Sequence, residues 1–183
     1  GRVSLRGVIP LSWTLDHAGP MARTVRDVAI LYAAIAGHDA LDPGSIDVPV
    51  EDPLGTIEGG VRGMRIGLPR GHFFERSDPE VAALVLDAVR VLEHQGATVE
   101  ECPFPPSDLL LDTQRTIISA DAAAYHADHL RDAADDIGED VLSRLRWVET
   151  LPAPAYATAR RRREEIRRDV VALFDRYDAL AVP

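Results

Sequence analysis

Met64-Arg65-Ile66-Gly67-Leu68-Pro69, then Asp78-Pro79 opening a run with Val81, Leu84, Val85, Ala88 and Leu92, then Gly96 and Ala97-Thr98-Val99-Glu100-Glu101-Cys102: this stretch decides the fold class. MRIGL is short and apolar and is closed by Pro69, which has no backbone N–H to offer a strand ladder, so it reads as a β-strand. Asp78 has the right side chain for an N-cap and Pro79 the right fixed φ for the first helical position. The apolar residues that follow recur at three and four, and Gly96 ends the run, which is the pattern of an amphipathic helix. ATVEEC then reads as a second strand. Strand, helix, strand in that order implies a right-handed crossover onto a parallel sheet, so the class is α/β.

Working outward, Pro103-Phe104-Pro105-Pro106 breaks the chain, Ser107 is expected to cap a helix running toward Ala134, and a shorter helix is expected near Asp140 to Val148. Tyr156, Ala159, Arg163, Ile166, Val170, Leu173 and Tyr177 alternate steps of three and four, which predicts one long helix with Arg163 the lone intruder on its apolar stripe. Leu180 to Val182 would open another buried strand. Upstream, Thr24 offers an N-cap with Asp27 three residues on, and Val25, Val28, Ala29, Tyr32 and Ala36 mark a helix ending at Gly37. Residues 1–22 read as ordered loop, and residues 38–63, with five glycines and three prolines, as a long surface connection. So few strands would leave a parallel sheet with bare edges and a bare face, which predicts that part of the sheet and its cover is missing from this chain.

The chain has 183 residues and a formal net charge of −10, a balance that argues against nucleic acid or an anionic membrane surface as a partner. Its 46% of apolar residues is enough for a buried core. All 20 basic residues are arginine and lysine is absent, which removes any mechanism that needs a lysine within these residues. One cysteine, Cys102, permits no internal disulfide and fits a reducing compartment, so the cytoplasm is the expected location. No apolar run approaches the roughly 20 residues of a membrane span. The first residue is Gly1, and the sequence reads as a piece of a longer gene product.

The chemical motifs are mostly unproductive. His126 and His129 stand three apart beside Asp121, Asp128 and Asp132, but the set lacks the spacing of a specific metal motif and reads as a solvated helix face; no metal and no cofactor are expected. None of the seven serines lies in a GxSxG elbow. Cys102 follows Glu100 and Glu101, which oppose thiolate formation, so a structural thiol is the better reading. The glycines of Gly59-Gly60-Val61-Arg62-Gly63 precede a strand instead of opening a helix and so do not make a phosphate cradle. Arg160 to Arg163, Arg167 and Arg168 interleave with Glu164, Glu165 and Asp169, as on a salt-bridged helix face.

The opening residues carry more. Gly1-Arg2-Val3-Ser4-Leu5-Arg6-Gly7-Val8-Ile9-Pro10, Thr14-Leu15-Asp16-His17-Ala18-Gly19-Pro20-Met21-Ala22-Arg23-Thr24-Val25-Arg26-Asp27, and Ile35-Ala36-Gly37-His38-Asp39 with Asp42 closely resemble the stretch that follows the catalytic core in amidase signature enzymes. Met64 to Pro69, the Asp78-Pro79-Glu80 helix, Gly96 to Val99, Ala120-Asp121-Ala122 with His126, and Phe174-Asp175 through Val182-Pro183 resemble later landmarks of that family in the same order. The resemblance covers essentially the whole chain. It implies a serine hydrolase that cleaves carboxamides through an acyl-enzyme, with a Lys, a bridging Ser and a nucleophilic Ser that all precede the segment matching Gly1. A chain without lysine cannot hold that base, so no catalytic residue is expected here and the isolated piece is expected to be inert.

On this resemblance residues 1–183 form the C-terminal portion of a single amidase domain, with 1–22 near the active site and 23–183 completing the α/β fold, whose strands are expected to join a larger mixed sheet flanked by helices that is incomplete in this chain. Trp13, Asp16 and His17, on the loop close to the family's nucleophile, and Asp121 and Tyr125, on the later helix, are the candidate substrate-binding residues. Asp16 has a second reading, as a cap on amides of its own loop. The expected partners are a small-molecule amide and the catalytic portion of its own chain, and a homodimer is left open. The resemblance extends to the A subunit of the amidotransferase that amidates misacylated transfer RNA. His17 stands where that protein usually has Gln, and Ala122-Ala123-Ala124 where it has Ser-Asn-Leu, which favours a general amidase. A non-catalytic interaction module derived from an amidase is the remaining alternative.

Overall fold

The computed structural model describes residues 1–183 apart from the side chain of His72. Among the described residues the α-helices and strands run α1 Val25–Ile35, α2 Pro53–Thr56, β1 Arg65–Leu68, α3 Gly71–Glu75, α4 Pro79–His94, β2 Thr98–Glu101, α5 Ser107–Tyr125, α6 Ala127–Asp132, α7 Glu139–Trp147, α8 Ala153–Leu173 and β3 Ala179–Leu180. The chain divides into two compact units, one of Gly1–Gly59 with Ile118–Leu151 and one of Gly60–Ile117 with Pro152–Pro183.

The second unit holds the sheet, in the order β2-β1-β3 with both pairings parallel. Ile66 stands opposite Val99 on one side and Ala179 on the other. As the central strand, β1 buries Ile66, Gly67 and Leu68 in succession, the continuous burial expected of a parallel strand covered on both faces. Gly67 is required by packing: a Cβ there would lie 2.7 Å from Leu180 Cδ2 and 3.0 Å from both Cys102 Sγ and Tyr177 Cδ2. The strand–helix–strand reading is realised in β1, α4 and β2. Asp78 caps α4 by accepting the Glu80 N–H at 2.8 Å, Pro79 occupies the first turn, and Val89 is buried. Gly96, at φ +100°, turns the chain out of the helix. At the start of β1, Asp178 accepts both the Arg65 backbone N–H (2.7 Å) and its guanidinium (2.8 Å), which draws β3 to the sheet.

In the first unit, Thr24 caps α1 by accepting the Asp27 N–H at 3.1 Å, as the sequence predicts, and Ala29 faces inward. The N-terminal residues lie back along the end of α1: Val3 bridges Ala36, the Gly37 N–H donates to Arg2 O, and the Ile46 N–H donates to Gly1 O.

Five local expectations are corrected. The helix expected from a Ser107 cap to Ala134 begins with Ser107 itself, with Pro106 O accepting the Leu110 N–H, and it is interrupted after Tyr125 at His126, whose φ of −90° and ψ of 12° lie off the helical mean. The connection 38–63 contains α2, capped by Asp52, and α3 follows β1 where no helix was expected. The long C-terminal helix stops at Leu173, so Tyr177 is buried from a turn beyond the helix and not from its stripe. The final strand comprises Ala179–Leu180, one residue earlier than expected.

Candidate functional site

The site lies in the first unit and is built by a loop fastened to a helix. Ser12 O accepts the Leu15 N–H (3.3 Å) and the Asp16 N–H (3.0 Å), and Asp16 Oδ2 accepts the Leu11 N–H (2.8 Å), so residues 11–16 form a closed turn. Ser12 is wholly buried, and its hydroxyl donates to Asp121 Oδ2 at 2.6 Å. Asp121, itself only 2% exposed, thereby ties the loop to α5. Tyr125 comes four residues after Asp121, one turn along the same face of that helix.

This tie places Trp13, Asp16 and Tyr125 on the wall of one cavity of about 420 Å³. Leu5, Val8 and Leu41 give much of the remaining wall its apolar character, with Arg6 and Asp42 adding charge. Of the five sequence candidates the structure therefore brings three to the cavity. Asp121 lies behind the loop as its tether, not on the wall. His17 is exposed and off the wall, its Nδ1 2.8 Å from Leu15 O. The second reading of Asp16, as a cap within its own loop, is realised along with its place on the wall.

Sequence reasoning did not pick out Arg6 or Asp42 for the site. Asp42 takes the Leu5 N–H on Oδ2 (2.9 Å) and the Gly44 N–H on Oδ1 (2.8 Å). Asp39 takes the Ser4 hydroxyl on Oδ2 (2.7 Å) and the Leu41 N–H on Oδ1 (2.9 Å). These contacts hold both carboxyls below the ordinary carboxylate value: the Ser4 hydroxyl chiefly and then the Leu41 amide for Asp39, the Leu5 amide chiefly and then the Gly44 amide for Asp42. The local signal was present, since an Asp accepting from the amide two residues on is an Asx-turn, and Asp39 to Leu41 and Asp42 to Gly44 are two of them. Their partners Ser4 and Leu5 are far away in sequence and were not legible.

Among the described wall residues there is no serine, cysteine, histidine or lysine, so the arrangement can bind and orient a molecule but holds no nucleophile paired with a base. The other motifs are taken up locally. The His126 and His129 rings meet edge to face with centroids 5.8 Å apart, and Asp128 and Asp132 pair with Arg131 at 2.8 and 2.9 Å. In the second unit, Cys102 is buried, and burial pushes its thiol up against a smaller opposing effect of Arg176. The arginines of α8 form a ladder of ion pairs, Arg161 with Glu165 (3.0 Å) and Arg167 with Glu164 (3.0 Å) among them. No helix among the described residues is long and apolar enough to cross a membrane.

The amidase family model matches residues 1–183. An amidase of Pseudomonas putida is 37% identical over 183 residues, covering 100% of this chain and 39% of its own length. The A subunit of the Moorella thermoacetica glutamyl-tRNA(Gln) amidotransferase is 35% identical over 207 residues, covering 100% of this chain and 42% of its own. Among solved structures, a vestigial protein complex described as revealing the origins of an s-triazine catabolic enzyme superposes with a TM-score of 0.88 at 30% identity, over 100% of this chain and 39% of that one. The chain thus spans about two fifths of the length of the curated relatives it matches. With a fold, a set of landmarks and a family match that each extend over its whole length, the chain belongs to the amidase signature family.

Proposed function

We propose that the whole protein hydrolyses carboxamides, adding water across the C–N bond to give a carboxylic acid and ammonia or an amine, through an acyl-enzyme formed on a serine. The 183 residues contribute the cavity of Trp13, Asp16 and Tyr125, which receives the organic group next to the amide. The observation that carries this reading is the family match over residues 1–183, which includes every wall residue. The serine, the bridging serine and the lysine base implied by the family lie outside these residues, as the absence of lysine requires for the base. The chemistry asked of that lysine is physically sound: when buried it is neutral, it can take a proton relayed through one hydroxyl from another, and backbone N–H groups can hold the oxyanion. The buried, unpaired Cys102 supports a reducing, cytoplasmic setting.

The test is ammonia release from simple amides by the purified whole protein without partner subunits. Turnover is expected from the whole protein and none from the 183-residue chain. Hydrolysis by the short chain that disappears on mutating one of its own serines would overturn the assignment of the chemistry elsewhere. The 35% identity to the A subunit of an amidotransferase favours a second reading, in which the protein acts on misacylated tRNA. His17 and Ala122-Ala123-Ala124 weigh against it. Inactivity alone with activity restored by partner subunits and charged tRNA would establish it.

A further inference from the structure

The ionic side chains of α1 lie in its first turn alone: Arg26, paired with Glu58 at 2.6 Å, and Asp27. From Val28 to Ala36 every residue is apolar except Tyr32, whose hydroxyl accepts the Arg2 Nε–H at 3.1 Å. A surface helix sets an apolar stripe against a charged face, whereas a helix that is apolar all round belongs in an interior. Among the described residues of the first unit, one side of α1 is covered and one is not. Ala29 is buried, while Ile30, Leu31 and Ile35 are 49%, 44% and 47% exposed, with Ala33 and Ala34 exposed beside them. At about 100° per residue these five are neighbours around the outward side of the last two turns. A contiguous exposed apolar patch marks a surface that something covers. The contrast is α8, where Arg161, Glu164 and Arg168 crowd the outward side and covering them would cost the desolvation of charges.

We infer that this face of α1 is an internal interface, covered in the whole protein by the portion of its own chain that lies outside these residues and carries the lysine and the serines. The identity of that portion rests on the functional reading above. Two observations select it. The chain spans 39% and 42% of two curated relatives, so the portion outside is the larger part and is ample to enclose a helix of 11 residues. The family places its catalytic residues before the segment matching Gly1, and that segment lies against α1: Val3 bridges Ala36, and the Gly37 N–H donates to Arg2 O. The catalytic portion therefore joins this structure beside the uncovered helix. Isoleucine, leucine and alanine offer no ionic group and no side-chain donor, so the covering surface is apolar and its burial stabilises the joined fold.

The experiment is hydroxyl-radical footprinting of the unmutated whole protein, native and in urea, read by mass spectrometry at Ile30, Leu31 and Ile35. All three are expected to be labelled at least about tenfold more slowly in the native protein, because a covered side chain is reached only through local opening. Native labelling near the urea rate, which their exposure within these residues alone would give, overturns the inference. A photoreactive leucine analogue incorporated in place of leucine identifies the cover: cross-links are expected from Leu31 to residues of the same chain outside 1–183. Cross-links from Leu31 between isotopically light and heavy copies would put a second copy on the face, and cross-links confined to residues 1–183 would leave it bare; either overturns the inference. Ala34→Gln is expected to lower the urea midpoint of the whole protein, and an unmoved midpoint counts equally against a covered face. Ammonia release is read separately. Hydrolysis of amides by a protein whose α1 is uncovered overturns the inference and leaves the functional reading standing, whereas a covered α1 with same-chain cross-links and no amide hydrolysis leaves the interface standing and overturns the functional reading.

Discussion

Replacing Asp121 by alanine removes the acceptor of a fully buried hydroxyl, that of Ser12. An orphaned buried group costs about 1–3 kcal/mol, and the loss is expected in urea denaturation of the whole protein. Asp121→Asn, which keeps an acceptor oxygen, is expected to cost less, and Ser12→Ala combined with Asp121→Ala to cost less than the two single losses added together. A cost below about 0.5 kcal/mol for Asp121→Ala would mean that the loop carrying Trp13 is held by something else. This residue shows what the sequence made legible and what it did not. Asp121 was singled out as a candidate wall residue, but its partner is 109 residues away, and nothing local marks an aspartate on a helix as the anchor of a distant loop. Trp13, Asp16 and Tyr125 are candidates because their segments match known landmarks, but nothing in those segments shows that the three share one cavity wall. Arg6 and Asp42 stand on the same wall, a placement the sequence does not reveal because it arises only through the tertiary fold.

Helices with strong end signals were read from the sequence almost to the residue. Thr24 and Asp78 each accept the amide that their capping role requires. Thr24→Ala and Asp78→Ala are therefore each expected to destabilise the whole protein by about 1 kcal/mol, measured as a shift in the urea midpoint, while glycine at either site costs only a few tenths. The interruption of the helix after Tyr125 was not legible. Ala122-Ala123-Ala124 has the highest helix propensity in that stretch, and His126 keeps helical hydrogen bonds on both sides, donating to Ala122 O and accepting from the Leu130 N–H, while its backbone angles tilt the chain. The helices Pro53–Thr56 and Gly71–Glu75 are too short to develop a 3.6-residue period, so composition alone could not reveal them.

Across the molecule, four carboxylates impose a common response to acid, Glu164 among them, held down chiefly by the Arg167 side chain. Asp39 and Asp42 are held below their ordinary value near 3.8, and Asp178 is lowered to about 2, chiefly by the Arg65 guanidinium and then by its amide. A carboxyl whose value is depressed in the folded state stabilises above its unfolded value, and that contribution fades as pH falls through the folded one. Thermal stability of the whole protein is thus expected to fall from about pH 4 toward pH 2. Asp178→Asn is expected to be less stable than the wild type at pH 7, with the gap closing near pH 2; a gap that stays constant with pH would show that the negative charge of Asp178 contributes nothing. The α/β class and the parallel crossover were legible at this scale because one strand, one capped helix and a second strand follow each other directly. The division into two units was not, because each is assembled from two separated stretches.

That interleaving governs the order of assembly. Arg65 meets Asp178 across 113 residues, whereas the pairing of Arg65–Leu68 with Thr98–Glu101 needs only the intervening helix. The local pair can close while the chain is still being made; the third strand cannot join until Ala179–Leu180 have emerged, more than a hundred residues after the first. Closing so long a loop costs entropy before any contact repays it, so docking of Ala179–Leu180 belongs to the late, slow part of folding. Until then one edge of the central strand stands open, and the nascent chain is vulnerable to pairing with a neighbour at that edge.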